Sequence, residues 1–364
     1  MCETVAVYRV STVGHVRERS MSVTTVAERT TTDPLDNVVD RTDHREALEQ
    51  LRLRIDDPNL GLFGPQSMIW RMVKPMPVLP LSLSVAGLLE APHPYVSAGT
   101  EGSKSAIEYV PRFHRSVDAF LSWFYGDWRQ VVHAARRVYG HHHQVSGDLP
   151  DAAGRYPAGH HYEANETEVL LWVWATIIWP IKEFYERICE PLSASETERY
   201  YEEAGRFAEV FGIERSVLPP TWADFSRYFD DYAASNAMDL RAEFLTRPNP
   251  LSQGPSGPFI ERTALRWMFI LFADVLPENV RRQYPTLPYR RREQRIANAS
   301  FVILRGLWKL LPRELRDWPR CRAALRRVGA EGPPGRLGRW LDDKLPAPYN
   351  AASDGARRHY ADAG

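Results

Sequence analysis

Cysteine is nearly missing from this chain of 364 residues: Cys2, Cys189 and Cys321 stand far apart, with no C-x-x-C spacing. That excludes a disulfide framework and a cysteine-rich zinc site, and it fits a reducing compartment. Long apolar runs are missing too. A membrane-spanning helix needs about 20 apolar residues, whereas the best run, "VLLWVWATIIWPI", reaches 13 residues and holds Pro180. It reads as a buried helix that Pro180 kinks or ends. No basic-then-apolar leader opens the chain, so a soluble, cytoplasmic protein with no membrane span is expected. Net charge is absent as well. The 46 basic residues balance 46 acidic ones, which argues against a nucleic-acid partner held by a general positive field. Lysine supplies only five of the basic residues, a skew read as coding bias. No G-x-S-x-G, Walker loop, G-x-G-x-x-G or H-E-x-x-H occurs, which removes the common hydrolase, nucleotide and zincin signatures.

What is present is a globular composition, 44% hydrophobic and 25% charged, enough for a substantial core. Residues 1–42 are rich in Thr, Ser, Arg and Val without helical period and are expected to be mobile. From "DHREALEQLRLRI" onward the signals are helical, beginning with a capping box of Asp43 and Glu46. "NETEVLLWVWATIIW" opens with Asn165 as cap and Glu168 three residues on. "SASETERYYEEAGRFAEVFG" opens with Ser193 and Glu196, and "TWADFSRYFDDYAA" with Thr221 and Asp224. "ERTALRWMFILFADVL", "RREQRIANASFVILRGLWKLL" and "PRCRAALRRVG" continue the pattern, whereas "RPNPLSQGPSGPF" is a loop. No period-two alternation is found. The expectation is an all-α, single-domain multi-helix bundle over residues 43–332, with a Gly/Pro/Ala-rich tail over 333–364.

Eight of the eleven histidines fall between positions 93 and 161. Three are consecutive, in "VVHAARRVYGHHHQVSG". With Val138 at zero and a turn of about 100° per residue, His142 lands at about +40°, inside the apolar stripe. His141 lies at about −60°, on its border, and His143 at about 140°, pointing away. An inward imidazole needs partners for its nitrogens, and a core carbonyl or a metal would serve equally. A di-iron bundle needs two Glu-x-x-His pairs, and only Glu90 to His93 occurs, with a proline between them. His160 and His161 read as loop residues. A metal held mostly by a cofactor, as in haem, asks for one protein histidine alone.

Four segments together resemble the MpaB-type oxygenases, relatives of the latex-clearing (rubber oxygenase) proteins. "HPYVSAG" (93–99) is similar to the family's His-Pro segment followed by small residues. "RFHRSVDAFLSWFYG" (112–126) is similar to its R-x-x-[RK]-T helix. "ARRVYGHHHQVSG" (135–147) is similar to the arginine-rich helix that ends in H-x-x-V-x-G. "YEANETEVLLWVWATI" (162–177) is similar to its Y-x-A-N/D…L-W-V-H-A-T signature. Single motifs are weak; their order and spacing across roughly residues 60–330 carry the likeness.

The resemblance implies an all-α haem b protein that uses dioxygen, with His142 as proximal iron ligand, the residue that the helical face also selects. It further implies distal roles for Arg112, Arg115 and Ser116, whose i, i+3, i+4 spacing gathers them on one side of a helix. Guanidinium and hydroxyl donors suit an oxygen that gains negative charge. Two departures stand out. Arg115 takes the place of a lysine that can bind iron in latex-clearing proteins, and arginine stays protonated, so the resting haem is expected to be five-coordinate, water-bound, or closed by another residue such as His114. Trp174 stands where the family has histidine, which implies a different substrate choice if that histidine shapes the pocket. The reading is a haem-dependent oxygenase acting on a hydrophobic small molecule, an isoprenoid or alkene by resemblance. Its rivals are a non-catalytic helical carrier of haem or an apolar ligand, and a haem enzyme that dehydrogenates or rearranges without inserting oxygen.

Overall fold

The computed structural model of the chain describes residues 34–101, 109–246, 254–255, 257–287 and 289–345, and the side chains among them except those of 101, 109–112 and 243. The architecture is all-α, with sixteen helices among these residues and one two-stranded sheet. In chain order they are α1 (Arg41–Leu53), α2 (Met68–Val73), α3 (Val78–Glu90), α4 (Pro94–Glu101), α5 (Tyr109–Tyr125), α6 (Trp128–His142), α7 (Thr167–Ile188) and α8 (Ala194–Glu209). There follow α9 (Trp222–Ala234), α10 (Ala242–Thr246), α11 (Phe259–Val275), α12 (Glu278–Arg281), α13 (Arg291–Leu310), α14 (Arg313–Arg316), α15 (Pro319–Arg327) and α16 (Arg336–Lys344). Strands β1 (Ser146–Asp148) and β2 (His161–Glu163) lie between α6 and α7. No helix among the described residues is long and apolar enough to cross a membrane.

The centre is α7. Fifteen of its 22 residues are buried, the mark of a helix covered on all sides. It packs along α3, where Trp172 Nε1 donates to the Leu89 carbonyl at 3.3 Å and Thr176 Oγ1 to Glu90 at 2.9 Å. On another side Trp174 Nε1 donates to the Ala204 carbonyl of α8 at 2.9 Å, and the Tyr200 hydroxyl to the Ile178 carbonyl at 2.7 Å. Polar atoms that a buried aromatic face carries inward are thus satisfied by neighbouring backbones. Pro180 does not end α7, which runs on to Ile188.

Four details differ from the expectation. The capping box of α1 is Asp40 with Asp43, not Asp43 with Glu46. Order extends ahead of it, through a 3₁₀ turn at Pro34–Asp36 and the buried Val39, whose N–H donates to the Asn165 carbonyl at 2.9 Å. The rest of the expected mobile segment, residues 1–33, lies outside the described residues. Within the expected tail, Arg336–Lys344 is helical, and residues 346–364 lie outside the described residues. Asn165 does not cap α7: the cap is Glu166, which makes no side-chain cap bond. The boxes Ser193–Glu196 and the Thr221 cap of Asp224 form as read.

Candidate functional site

The α5–α6 hairpin sets the frame. α5 closes where the Gly126 N–H donates to the Ser122 carbonyl at 2.9 Å. A Cβ at Gly126 would lie 2.3 Å from that carbonyl, so only glycine permits the turn. Asp127 and Gln130 then cap α6 reciprocally. The two helices run antiparallel, pinned by Arg137 to Asp118 at 3.5 Å, while Asp118 also receives Arg320 at 2.5 Å.

His142 is the last residue of α6 and is half-buried, while His141 and His143 are exposed. It lines a cleft with Val138 and Ala135 of its own helix, Trp123 of α5, Leu170 of α7, and Val210 and Phe211 beyond α8. His44, Tyr139 and Asn165 complete the wall. The cavity holds about 10 Å³, room for about one water. Three of its lining residues carry buried polar atoms without a hydrogen-bond partner: Trp123 Nε1, Tyr139 OH and Asn165 Nδ2. Such groups cost about 1–3 kcal/mol each unless a water or a ligand meets them. His44, Tyr139 and His143 stack, at 4.4 Å and 15°, then 5.8 Å and 14°. A His44 ring nitrogen meets the Val210 carbonyl at 3.1 Å, and burial lowers its pKa. Burial raises the pKa of Tyr139, so its hydroxyl stays a donor.

The small sheet delivers Asn165. β1 and β2 are antiparallel, Ser146 opposite Glu163, and the ladder continues as Ala164 N–H donates to the Val145 carbonyl at 2.9 Å. Val145 in turn donates to the His142 carbonyl at 2.8 Å. The segment after His142 and the segment before α7 are therefore zipped together, which carries the Asn165 amide into the cleft. Gly99 packs against this zipper: a Cβ there would lie 2.7 Å from Val145 Cγ1, with Tyr162 next at 3.9 Å. Three of the four sequence segments that carry the family likeness meet at this contact.

The other expected site residues are placed unequally. Ser116 and His114 are half-buried, and Arg115 is exposed. The side chain of Arg112 lies outside the described residues. Trp174 points away from the cleft, fully buried and edge-on to Phe225 at 5.4 Å, so the position where the family carries histidine is core here. Sequence reasoning passed over Tyr139, Asn165, Trp123 and His44. Tyr139 was findable, three residues before His142 on the same helix. His44 gave no local sign, because 98 residues separate it from His142 in the chain.

A second histidine-bearing cluster sits apart from the cleft. His93, fully buried, places Nε2 3.1 Å from the Tyr232 hydroxyl and stacks parallel to that ring. Burial first, and then the charge of Arg155, lowers its pKa to about 3. Tyr95, packed on His93, meets His160 at 2.6 Å through its hydroxyl. Among the described residues no group of three or more His, Cys, Asp or Glu is arranged to hold a metal ion.

A protein-family model described as "ER-bound oxygenase mpaB/B'/Rubber oxygenase, catalytic domain" matches residues 70–313. No curated protein and no solved structure matches the chain.

Proposed function

The chain belongs to the mpaB/rubber oxygenase family, matched through the catalytic domain, and from that premise we propose a haem b-dependent oxygenase. It uses dioxygen to oxidise or cleave a hydrophobic small molecule, an isoprenoid or alkene by family analogy, with His142 as the iron ligand. One observation carries this reading. The histidine that family register selects lines the cleft whose wall gathers three unpartnered polar atoms among apolar side chains.

The lining fits the chemistry of haem b. A single neutral imidazole suffices as protein ligand, Trp123, Val138, Leu170, Val210 and Phe211 give an apolar wall, and the orphaned donors suit an anionic rim. The volume does not yet fit. At about 10 Å³ the cleft is far below the ~300 Å³ where ligand pockets begin, so its walls must part on loading. Haem b, when bound, supplies the iron that activates dioxygen.

The chain's own residues do the rest. His142 holds the metal. Tyr139, kept protonated by burial, and Asn165 would donate hydrogen bonds to acidic groups of the cofactor. The apolar wall excludes water, which strengthens every electrostatic contact inside. Arg112 and Ser116, on the helix facing α6, are assigned as donors toward dioxygen. Arg115, exposed and permanently charged, is assigned an outer electrostatic part and no metal bond.

The test is the absorption spectrum of purified protein, as isolated and after hemin is added. A Soret band that is lost or displaced in His142→Ala is expected, with dioxygen uptake on polyisoprene or terpenoid alkenes. Refusal of hemin, or a spectrum indifferent to His142→Ala, would overturn the reading. A haem spectrum without dioxygen uptake on any alkene would reduce the protein to a carrier.

A further inference from the structure

Helix α13 is apolar on two sides, which one-sided packing does not require. Its inner side holds the buried Ala297 and Phe301. Its outer side exposes Val302 (73%), Ile303, Leu307 and Leu310 (81%) to solvent. At about 100° per residue these four share an arc of roughly 140°, away from Phe301. Two to three turns nearer the start of the helix, Arg292 and Arg295 lie on the same arc and Arg291 borders it, as Lys309 does beside Leu310; all four are exposed. None of them forms an ion pair with a described carboxylate, in a chain whose formal charge is zero.

Helix α11 extends the patch. It runs antiparallel to α13, fixed by Tyr289 bonding Asp274 at one end and by Trp267 Nε1 donating to Ser300 Oγ at 2.9 Å further along. That register brings Phe259 (73%) and Ile260 (80%) level with Leu307 and Leu310. Trp267 stands half-exposed at the border. Exposed apolar side chains gathered on two neighbouring helices, with exposed cations on the same face and a tryptophan beside them, mark an interaction site.

We infer that the outer faces of α13 and α11 dock on an anionic lipid bilayer, with Phe259, Ile260, Leu307 and Leu310 entering the headgroup–acyl boundary. Arg291, Arg292, Arg295 and Lys309 meet the phosphates. Charge decides the occupant. A two-fold partner copy would bring the same unpaired cations to both sides of one interface, whereas an anionic surface neutralises them. Aliphatic side chains below a basic rim, with an aromatic at the boundary, are the pattern of helices that lie in a membrane surface without crossing it. The inference goes beyond the proposed oxygenase and stands without its cofactor; if both hold, the apolar substrate is drawn from the bilayer.

The full chain is sedimented with phosphatidylcholine vesicles, with and without phosphatidylserine, at low and high salt. Binding to the anionic vesicles, released by salt, is expected. Replacing Arg291, Arg292 and Arg295 together by glutamine should weaken partition on the order of a hundredfold, at about one kcal/mol per basic side chain near the surface. Leu307→Glu with Leu310→Glu should abolish it. These side chains already face water, so the circular-dichroism melt should hold, and a melt that collapses would show the face is core and overturn the inference. A chain that ignores anionic vesicles but forms dimers dissociated by the double glutamate variant would assign the face to self-association instead. A monomer that binds neither vesicle would overturn it as well, its own remaining segments then covering the patch.

Discussion

His93 shows how one residue ties acid stability to a buried network. Its pKa is about 3 in the folded chain, against about 6.5 when unfolded. As pH falls the unfolded chain takes up the extra proton first. The stability this ring contributes is therefore complete above about pH 6.5 and drains away toward pH 3, at about 1.4 kcal/mol per pH unit. Urea midpoints between pH 7 and pH 4 should fall less steeply in His93→Phe than in the parent chain; equal slopes would remove His93 from the account. Trp174 makes the complementary case. Its indole is fully buried and bonded to the Ala204 carbonyl, so restoring the family's histidine with Trp174→His leaves a void rather than a new ligand. The expected loss is about 2–4 kcal/mol, close to other large-to-small core changes, in chemical denaturation. The haem spectrum of the loaded protein should stay as it was.

At the scale of elements, the α5–α6 hairpin sets the distance between the expected distal residues and His142. Gly126→Ala pushes a methyl against the Ser122 carbonyl, and strain of that kind costs about 1–3 kcal/mol. Denaturation should show the loss, and hemin affinity should fall with it, since the seating of α5 against α6, which carries His142, depends on this turn. The β1–β2 zipper has a parallel task at the other wall. Asn165→Leu keeps the ladder's backbone bonds and removes the orphaned amide donor. Stability should hold or rise slightly, because an unpaired buried polar group disappears, while hemin binds more weakly. Unchanged hemin affinity would take Asn165 out of the cofactor's seat.

Across the whole molecule, the proposed haem site ties cofactor loading to packing. The cleft is nearly filled, and its walls come from α5, α6, α7 and the segment after α8, together with His44 of α1. Loading of the proposed cofactor would therefore need several elements to shift in concert. In stopped-flow mixing the rate of hemin uptake should level off as hemin rises, limited by that opening; a rate linear to the highest concentration would mean that no such step exists. Bound cofactor should also raise the unfolding midpoint, by about 2.7 kcal/mol at a hundred times the dissociation constant, and His142→Ala should lose that gain.

The helical class, the caps at Ser193 and Thr221 and the inward turn of His142 were legible in the sequence. Each is a matter of local periodicity or of side chains reaching their own backbone within a few residues. Asn165 misled for the same reason: its local pattern is that of a cap, and only the pairing of its neighbour Ala164 with Val145, and of its own carbonyl with Val39, sets it in the cleft wall. His44 and Trp123 reach the cleft, and Trp174 leaves it, through contacts between segments far apart in the chain. Local propensity carries no information about such contacts. The second apolar face of α13 follows the same logic. Periodicity reports that a helix has apolar positions on two sides, and packing alone decides which side the core covers and which is left to meet something else.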